Sequence, residues 1–443
     1  MAGIEGTTGA REPQDIIGHE RMRGRQILAI AICVLLNALD GFDVLSISFA
    51  APGIANEWGI DRAALGAVLS MELIGMAVGS VLLGQVADRV GRRPVVIGCL
   101  VAMAISMYAT SLVHDIATLS ATRLITGLGI GGMLVCISAM SAEFSSFKWR
   151  AASVAIMAAG YPAGAIVGGS IASGLLASGT WRDVFIFGAM ATAACLPVVL
   201  WLVPESVGYL MQKRPADALA RVNRTLAALG HDRVETLPMP VTAPKKASFG
   251  DLFSPALRAT TILLVVGYFC HIMNFYFMAK WIPKVVADMG FSPSLAGQVL
   301  VWMNVGGLIG SLLFSALTLK MGVRGLLTGA LLLSAVSVAM FGQGQADLNS
   351  LSFVAAVAGF FLTGGIVGLY ALTVSSFPAA LRGGGTGIVI GVGRGGAALA
   401  PALAGLLFEI GLNLQAVAML AGASSLLAAA VLLMLPRSAT LTD

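Results

Sequence analysis

Charged side chains are scarce in this sequence of 443 residues, since Asp, Glu, Lys and Arg together make up only 11% of it. Soluble domains carry about 25% charged residues, and 57% of this chain is hydrophobic, so the composition indicates an integral membrane protein. Cysteine and histidine number only five and four, and none is spaced like the ligands of a metal or redox site. Ser, His and Asp do not occur in the order of a hydrolytic enzyme. We therefore expect no enzyme activity, no metal and no cofactor.

We also expect no signal peptide in the first 26 residues, because they do not have the basic, apolar and cleavage-site order of one. The apolar runs that follow are about 20 residues long and recur along the whole length, which predicts membrane helices rather than a barrel. The predicted fold class is an all-α membrane protein with twelve transmembrane helices. They are placed at 27–50, 63–87, 94–113, 117–143, 150–177, 182–203, 259–282, 294–319, 324–343, 350–376, 384–408 and 413–435.

Basic residues are divided unequally between the two sets of loops. One set carries only Arg62, Arg182 and Lys284, and the other carries the remaining loop and tail cations. By the positive-inside rule, we expect both termini and the second set in the cytoplasm of a bacterium, with the helices in its inner membrane. The net charge of +5 therefore does not indicate nucleic-acid binding. The predicted divisions are an N-terminal tail (1–26), a six-helix bundle (27–203), a linker with a short helix at 215–229 (204–258), a second bundle (259–435) and a C-terminal tail (436–443).

The two halves of the chain repeat with a shift of 231 residues, which brings Gly59 onto Gly290. Other aligned pairs are Gly66 and Gly297, Gly75 and Gly306, Gly79 and Gly310, and Arg93 and Arg324. The same shift places Asp40 on His271 and Asp43 on Asn274. Both halves thus keep a polar pair at one depth, which favours a cavity between two bundles.

Asp40 and Asp43 lie three residues apart in the first apolar run, so they share one helical face. A charge at the bilayer centre costs at least roughly 2.5–3.5 kcal/mol on insertion scales, and it marks a functional site by default. Lost hydration and mutual repulsion allow one of the two to hold a proton near neutral pH. We interpret the pair as a proton-coupling site; the alternative is that both pair with Arg123 and only hold the bundle together.

The segment between the second and third helices reads Gly84-Gln85-Val86-Ala87-Asp88-Arg89-Val90-Gly91-Arg92-Arg93-Pro94. It resembles the loop signature of the major facilitator superfamily. The Asp40-Gly41-Phe42-Asp43 cluster resembles the mark of one group within it, the aromatic acid:proton symporters that carry 4-hydroxybenzoate, benzoate and gentisate. The resemblance implies two pseudo-symmetric six-helix bundles that import a small aromatic carboxylate together with protons by alternating access.

Gating is predicted at the cytoplasmic helix ends. Gly84 is expected to permit close helix approach, and Asp88 with the arginines to form a charge network that latches one state. Leu319 stands where the second copy would carry the acid, so the latch is expected on one side only. The alternative for these charges is ordinary solvation. The predicted gating residues are Gly84, Asp88, Arg89, Gly91, Arg92, Glu143, Arg150, Glu205 and Arg382.

Arg394, near the middle of the eleventh helix, is a candidate for binding the substrate carboxylate, because a guanidinium suits bidentate contact with that group. A structural ion pair is the alternative. Glu72 departs from the family's pattern and is either a further proton-coupling site or an internal pair partner. His271 is either a proton relay or a hydrogen-bonded packing residue. The predicted substrate-binding set is Arg394, Arg123, His271, Asn274, Tyr276, Tyr161, Trp302 and Asn304, with Tyr370 as a further aromatic candidate.

Lys280 and Trp281 are interpreted as an interfacial anchor at the outer end of the seventh helix. The run 127–132 contains GxGxxG, but it lies inside an apolar helix and indicates helix packing rather than a dinucleotide site.

Two other transport functions remain open. Glu72 and Pro204-Glu205-Ser206, a run shared with sugar and organic-anion carriers, keep a carrier of non-aromatic organic or sugar acids possible. A drug exporter is disfavoured, since Gly160-Tyr161-Pro162-Ala163-Gly164 does not match the Gly-Pro-x-x-Gly-Gly of that group. The expected partners are the substrate, protons and the lipid bilayer, without nucleic acid, and the expected state is a monomer.

Overall fold

The computed structural model describes residues 12–238, 249–318, 320–344, 347–378 and 381–435. In this part of the chain all regular structure is helical, and twelve helices are long and apolar enough to span a bilayer. The predicted fold class and the number of spans are therefore confirmed. The helices are α1 (Pro13–His19), α2 (Gly24–Trp58), α3 (Arg62–Val90), α4 (Arg92–Ser111), α5 (Ile116–Glu143), α6 (Arg150–Ser178), α7 (Trp181–Leu202), α8 (Val207–Lys213), α9 (Ala218–Leu229), α10 (Arg258–Asp288), α11 (Pro293–Leu317), α12 (Val323–Gly342), α13 (Leu348–Ser375), α14 (Arg382–Glu409) and α15 (Leu414–Leu433).

Several boundaries differ from the prediction. Helix α2 continues through Pro52 and α10 through Pro283, because neighbouring helices and local adjustments satisfy the backbone groups that a proline frees inside a membrane helix. Helix α9 lies within the predicted linker helix, whereas α1 and α8 were not predicted. Leu319 and the C-terminal tail at 436–443 lie outside the described residues.

The repeat seen in the sequence recurs in the packing of the two bundles, α2–α7 and α10–α15. In the first, a Cβ added at Gly75 of α3 would collide with the carbonyl of Leu124 in α5. In the second, a Cβ at Gly306 of α11 would collide with the carbonyl of Ala356 in α13. Gly127 packs in the same way against the Glu72 carbonyl, so the glycine-rich run does serve close helix contact.

The ends of the spans differ between the two faces of the molecule. We call the face that carries the segment between α7 and α10 the linker side, and the opposite face the far side. Five of the six spans that start at the far side begin with a side chain at the N-cap that accepts a backbone hydrogen bond; for example, Asp61 accepts from the Ala64 amide at 2.6 Å and Asp115 from the Thr118 amide at 2.8 Å. The Thr118 amide also lowers the pKa of Asp115. Four spans that start at the linker side begin with an arginine instead: Arg92, Arg150, Arg258 and Arg382.

Candidate functional site

Two buried carboxylates lie near the middle of α2. Asp40 is 1% exposed and Asp43 is 0% exposed. Asp43 accepts one long hydrogen bond, from the Thr192 hydroxyl at 3.5 Å. Among the described residues, both oxygens of Asp40 and the second oxygen of Asp43 have no hydrogen-bond partner. Buried polar atoms of this kind are costly, so a ligand or a proton is needed to complete this part of the site.

Arg123 does not form an ion pair with these two acids, contrary to the alternative considered above. Its guanidinium lies 3.6 Å from the Glu72 carboxylate. It also donates to the hydroxyls of Thr110 at 2.9 Å and Thr126 at 3.0 Å, and it lies 4.7 Å from the centre of the Phe185 ring. These contacts commit Arg123 to the first bundle, so it is not available to a substrate carboxylate in this arrangement.

The sequence interpretation placed Lys280 wrongly. It is not an interfacial anchor, because its side chain is 0% exposed and its ammonium lies 3.1 Å from the other Glu72 oxygen. It also donates to the Val44 carbonyl. Since α10 belongs to the second bundle and α2 and α3 to the first, Lys280 joins the two bundles, and Glu72 has the geometry of an internal pair partner. A mid-membrane acid requires a partner at its own depth, and that requirement was the signal for Lys280.

Arg394 lies in α14 among most of the tyrosines of the protein. Four of the six are close enough to interact electrostatically with its guanidinium: Tyr161, Tyr268, Tyr276 and Tyr370. We call these four residues the tyrosine cluster. The hydroxyls of Tyr268 and Tyr370 are 3.4 Å apart, and Tyr161 and Tyr276 are neighbours across the two bundles. Within the described chain, Arg394 makes no hydrogen bond or ion pair, and its charge acts on Asp40.

A face of α14 leads from the linker side to Arg394. Gly383, Gly387 and Gly391 precede this arginine by three, two and one helical turns, so the four residues share one face. A Cβ added at any of the three glycines would meet no atom within 4 Å. Other protein atoms therefore do not cover the surface of α14 at these three glycines, on the side that Arg394 shares. This surface was not predicted, although the glycine spacing in the sequence indicates it.

The second bundle holds His271 and Asn274 in its packing. His271 Nδ1 lies 2.9 Å from the Ser425 hydroxyl and Nε2 lies 2.8 Å from the Leu362 carbonyl. The Asn274 amide donates to the same hydroxyl at 2.9 Å. Both ring nitrogens of His271 are thus occupied within one bundle, which is the packing role considered for it and not the geometry of a substrate ligand.

Trp302 and Asn304, the two remaining substrate-binding candidates on α11, form no hydrogen bond with the tyrosine cluster in the described chain. Trp302 is 51% exposed and shares an outward stripe of α11 with Ile309 and Leu312, which are 54% and 60% exposed. That stripe is apolar, and the place of Trp302 in the site stays a prediction. Asn304 is buried, and its amide donates to the Leu300 carbonyl of its own helix at 2.9 Å.

The two bundles are joined in the far-side half of their helices. The Arg62 guanidinium lies 3.1 Å from Asp288, and its backbone amide donates to Glu409 at 3.3 Å. Trp281 is 1% exposed and thus also not an interfacial anchor; it donates to the Pro401 carbonyl at 3.1 Å within the second bundle. The contacts of Arg62 and Lys280 join the two bundles at the far side.

A charge network lies at the linker side within the first bundle, but it is built from Arg92, Glu143 and Glu205 rather than from Asp88 with the arginines. Arg92 contacts Glu143, and Glu205 accepts from the backbone amides of Arg92 at 3.0 Å and Ser206 at 2.8 Å. Gly91 has φ +110 and a Cβ there would collide with Glu205, so this position requires glycine.

The other predicted gating residues take different places. At Gly84 an added Cβ would lie 3.5 Å from Val135, an ordinary contact, so the expectation of close helix approach there was wrong. Asp88 and Arg89 are exposed. Arg150 donates to the Ala142 carbonyl of the same bundle at 3.1 Å, and no hydrogen bond or ion pair to another described residue brings Arg382 into the network.

The family follows from a comparison with known proteins, since the Major Facilitator Superfamily model matches residues 33–285 and 264–442. The chain belongs to this superfamily. It is 28% identical over 424 residues to the gallate transporter of Pseudomonas putida, covering 95% of this chain and 94% of that one. It is 28% identical to the 3-(3-hydroxy-phenyl)propionate transporter of Escherichia coli, covering 87% and 88%. It is 27% identical to the 4-hydroxybenzoate transporter PcaK of Pseudomonas aeruginosa, covering 91% of each.

Solved structures show the same fold. The D-xylose-proton symporter matches with a TM-score of 0.72 at 19% identity, over 94% of this chain and 99% of that one. The inward open xylose transporter XylE from E. coli matches with a TM-score of 0.70 at 18% identity, over 92% and 96%. This superfamily member is thus a multi-pass membrane protein of the transporter class and not an enzyme, and its curated relatives transport aromatic acids.

Proposed function

We propose that this protein is a proton-coupled symporter that imports a small aromatic carboxylate by alternating access. The observation that carries the proposal is the pairing of unsatisfied groups between the bundles: Asp40 without a hydrogen-bond partner, and Arg394 without an ion-pair partner in the described chain. A carboxylate bound to Arg394 supplies the missing anion, and a proton on Asp40 or Asp43 supplies the missing hydrogen. The relatives, whose names include gallate, hydroxybenzoate and gentisate transporters, support an aromatic acid as cargo.

The charges of the site support a ratio of one proton to one substrate anion. Three buried acids, Asp40, Asp43 and Glu72, lie in the same region as three cations. The cations are the buried Arg123 and Lys280 and the partly buried Arg394. When all six groups are ionised their net charge is zero, so a bound substrate carboxylate adds one negative charge that is costly in the membrane interior. One proton restores the balance. Glu72 is already held by two cations, so we assign the proton to the Asp40–Asp43 pair.

The tyrosine cluster supports a ring that carries a hydroxyl group. Aromatic side chains stack on an aromatic ring, and the Tyr161 hydroxyl is buried beside the Tyr276 hydroxyl without a well-aligned hydrogen bond in the described chain. A phenolic hydroxyl on the substrate would complete it. A sugar acid has no aromatic ring on which the rings of the tyrosine cluster could stack.

The orientation follows from the basic residues. Arg92, Arg150, Arg258 and Arg382 begin spans at the linker side, so by the positive-inside rule we place the linker, the tails and the open end of the site in the cytoplasm of a bacterium. The protein described is then inward-facing. The outward-facing state requires that the Lys280–Glu72 and Arg62–Asp288 contacts separate.

Uptake into proteoliposomes tests the proposal, with labelled 4-hydroxybenzoate as cargo. With a ratio of one to one, the moving charges cancel, so a pH gradient drives accumulation by about 1.4 kcal/mol, or tenfold, per pH unit. A K⁺ diffusion potential alone should drive no accumulation, because the substrate anion and the proton together carry no net charge. A transported species with one net charge would instead gain about 2.3 kcal/mol per 100 mV. Accumulation that follows the potential and ignores the pH gradient would refute the coupling. Uptake of glucuronate in preference to 4-hydroxybenzoate would favour the sugar-acid carrier instead.

A further inference from the structure

A cleft of about 460 Å³, lined by both charged and apolar residues, lies at the linker side, away from the site between the bundles. Its walls are the ends of α3 and α7, the start of α4, and helices α8 and α9. Because α3, α4 and α7 are membrane spans that end at the cleft, it lies at the level of the membrane surface. None of its lining residues takes part in the substrate site.

The charges in this cleft are unequally compensated. Three arginines line it together with two acids. Asp217 is paired with Arg221 at 2.8 Å, and Glu205 is occupied by backbone amides at its own end of the cleft. Arg93 donates to the Leu200 carbonyl at 2.6 Å, and its Nε is buried without a hydrogen-bond partner. Arg224 makes no hydrogen bond or ion pair with another residue of the described ranges, although its charge acts on Asp217, so neither Arg93 nor Arg224 has an anion in direct contact.

The rim of the cleft is apolar and exposed. Trp201 is 82% exposed, and its neighbours Leu200 and Leu202 are 46% and 48% exposed. All three belong to the last turn of span α7, where tryptophan is favoured at the boundary between hydrocarbon and headgroups. The cleft thus presents cations at headgroup depth and, next to them, a surface suited to an acyl chain.

We propose that this cleft binds the phosphodiester headgroup of an anionic glycerophospholipid. Arg93 and Arg224 contact the phosphate oxygens, for which the guanidinium geometry is well suited, and the acyl chains lie along Trp201 and Leu202. Such a lipid would bridge α9 to the first bundle, because Arg224 lies on α9 and Arg93 on α4.

Native mass spectrometry of the purified full chain tests the assignment, with phosphatidylglycerol and phosphatidylcholine offered in equal amounts. We expect phosphatidylglycerol to be retained preferentially. A basic residue near an anionic lipid surface contributes about a fivefold change in affinity, so Arg224→Gln should weaken retention by about that factor. Arg93→Gln should have the same effect. Arg224 is exposed, so its substitution is the less disruptive of the two for folding.

The matched control is Arg233→Gln, which removes the same charge from an exposed linker position outside the cleft. It should retain the lipid as the unmodified chain does. Equal retention of the two lipids, or an equal loss in the Arg233 control, would overturn the assignment. Glycerol 3-phosphate that binds as tightly as the lipid and with the same dependence on Arg224 would also overturn it, in favour of a soluble phosphate compound.

Discussion

The Lys280 ammonium and the Glu72 carboxylate are 3.1 Å apart, and both side chains are 0% exposed. The two residues belong to different bundles and are 208 positions apart in the sequence. Because water cannot replace either partner in this environment, the proposed alternating access requires that the pair be exchanged for another interaction when the far side opens. Arg123 at 3.6 Å from Glu72 is the cation that remains beside the acid when Lys280 withdraws.

Loss of one partner of this pair should be costly. Lys280→Met leaves Glu72 with one cation in a dry environment, and removal of one member of a buried ion pair costs about 3–5 kcal/mol. We expect the free energy of unfolding of the purified protein, followed in a denaturant titration, to fall by about that amount. Lys284→Met is the matched control one turn further along α10, where the lysine contacts the partly exposed Asp288. A surface pair contributes about 0–1 kcal/mol.

A double-mutant cycle decides whether the two residues act together. If the pair is as described, Lys280→Met should cost much less in a Glu72→Gln background than in the original chain. Additive effects of the two substitutions would show that Lys280 stabilises the protein without the Glu72 contact.

The carboxylates of α2 should be needed for the response to a pH gradient. Asp40→Asn and Asp43→Asn each keep the side-chain volume but cannot release a proton. Because the proton is assigned to this pair, we expect pH-gradient-driven uptake of 4-hydroxybenzoate to fall to the level of empty liposomes. Asp232→Asn, in the exposed linker, is the control with the same change in charge.

Membrane insertion separates loss of coupling from loss of folding. The Asp40 and Asp43 variants should be recovered from the membrane in the same amount as the original chain. After purification they should elute from a size-exclusion column at the same volume. Full pH-driven uptake by both variants would refute their role as the coupled site.

The sequence was sufficient for features set by local periodicity. Apolar runs fix the twelve spans, and Gly75 and Gly306, which the repeat aligns, make helix contacts of the same kind in the two bundles. The burial of Asp40 and Asp43 follows in the same way from their place in the middle of a long apolar run. A proline was a poor guide to helix ends, since α2 continues through Pro52.

Features that depend on how distant helices meet could not be derived from the sequence. Whether Lys280 points to lipid headgroups or to Glu72 is decided by the approach of α10 to α3, and no local pattern contains that approach. Trp302 shows the same limit, because the helical period defines a face but not whether that face meets lipid or a cavity. The six tyrosines are spread from position 108 to 370, and only the fold brings four of them to Arg394.

The hydroxyl of Tyr161 should select for hydroxylated substrates. It is buried beside the Tyr276 hydroxyl without a well-aligned hydrogen bond in the described part of the chain, so a phenolic hydroxyl gains a hydrogen bond there, worth about 1 kcal/mol or a fivefold change in KM. Tyr161→Phe should therefore raise the KM for 4-hydroxybenzoate about fivefold and leave the KM for benzoate nearly unchanged. Tyr108→Phe, at a position 55% exposed, is the control. An equal rise for both substrates would indicate a general packing role for Tyr161.

The glycine-lined face of α14 should be open to water from the linker side. Gly387 meets no atom within 4 Å of an added Cβ and lies two turns from Arg394, so Gly387→Cys should react with a membrane-impermeant thiol reagent in inside-out vesicles. Gly329 on α12 has the same open surroundings but belongs to a span outside this face, so Gly329→Cys should stay unlabelled in hydrocarbon. The five native cysteines are buried and give a low background. Because substrate and acid together allow the linker side to close, 4-hydroxybenzoate at low pH should slow the labelling of Gly387→Cys. Equal labelling of the two cysteine variants, or labelling of Gly387→Cys only in right-side-out vesicles, would place the open end elsewhere.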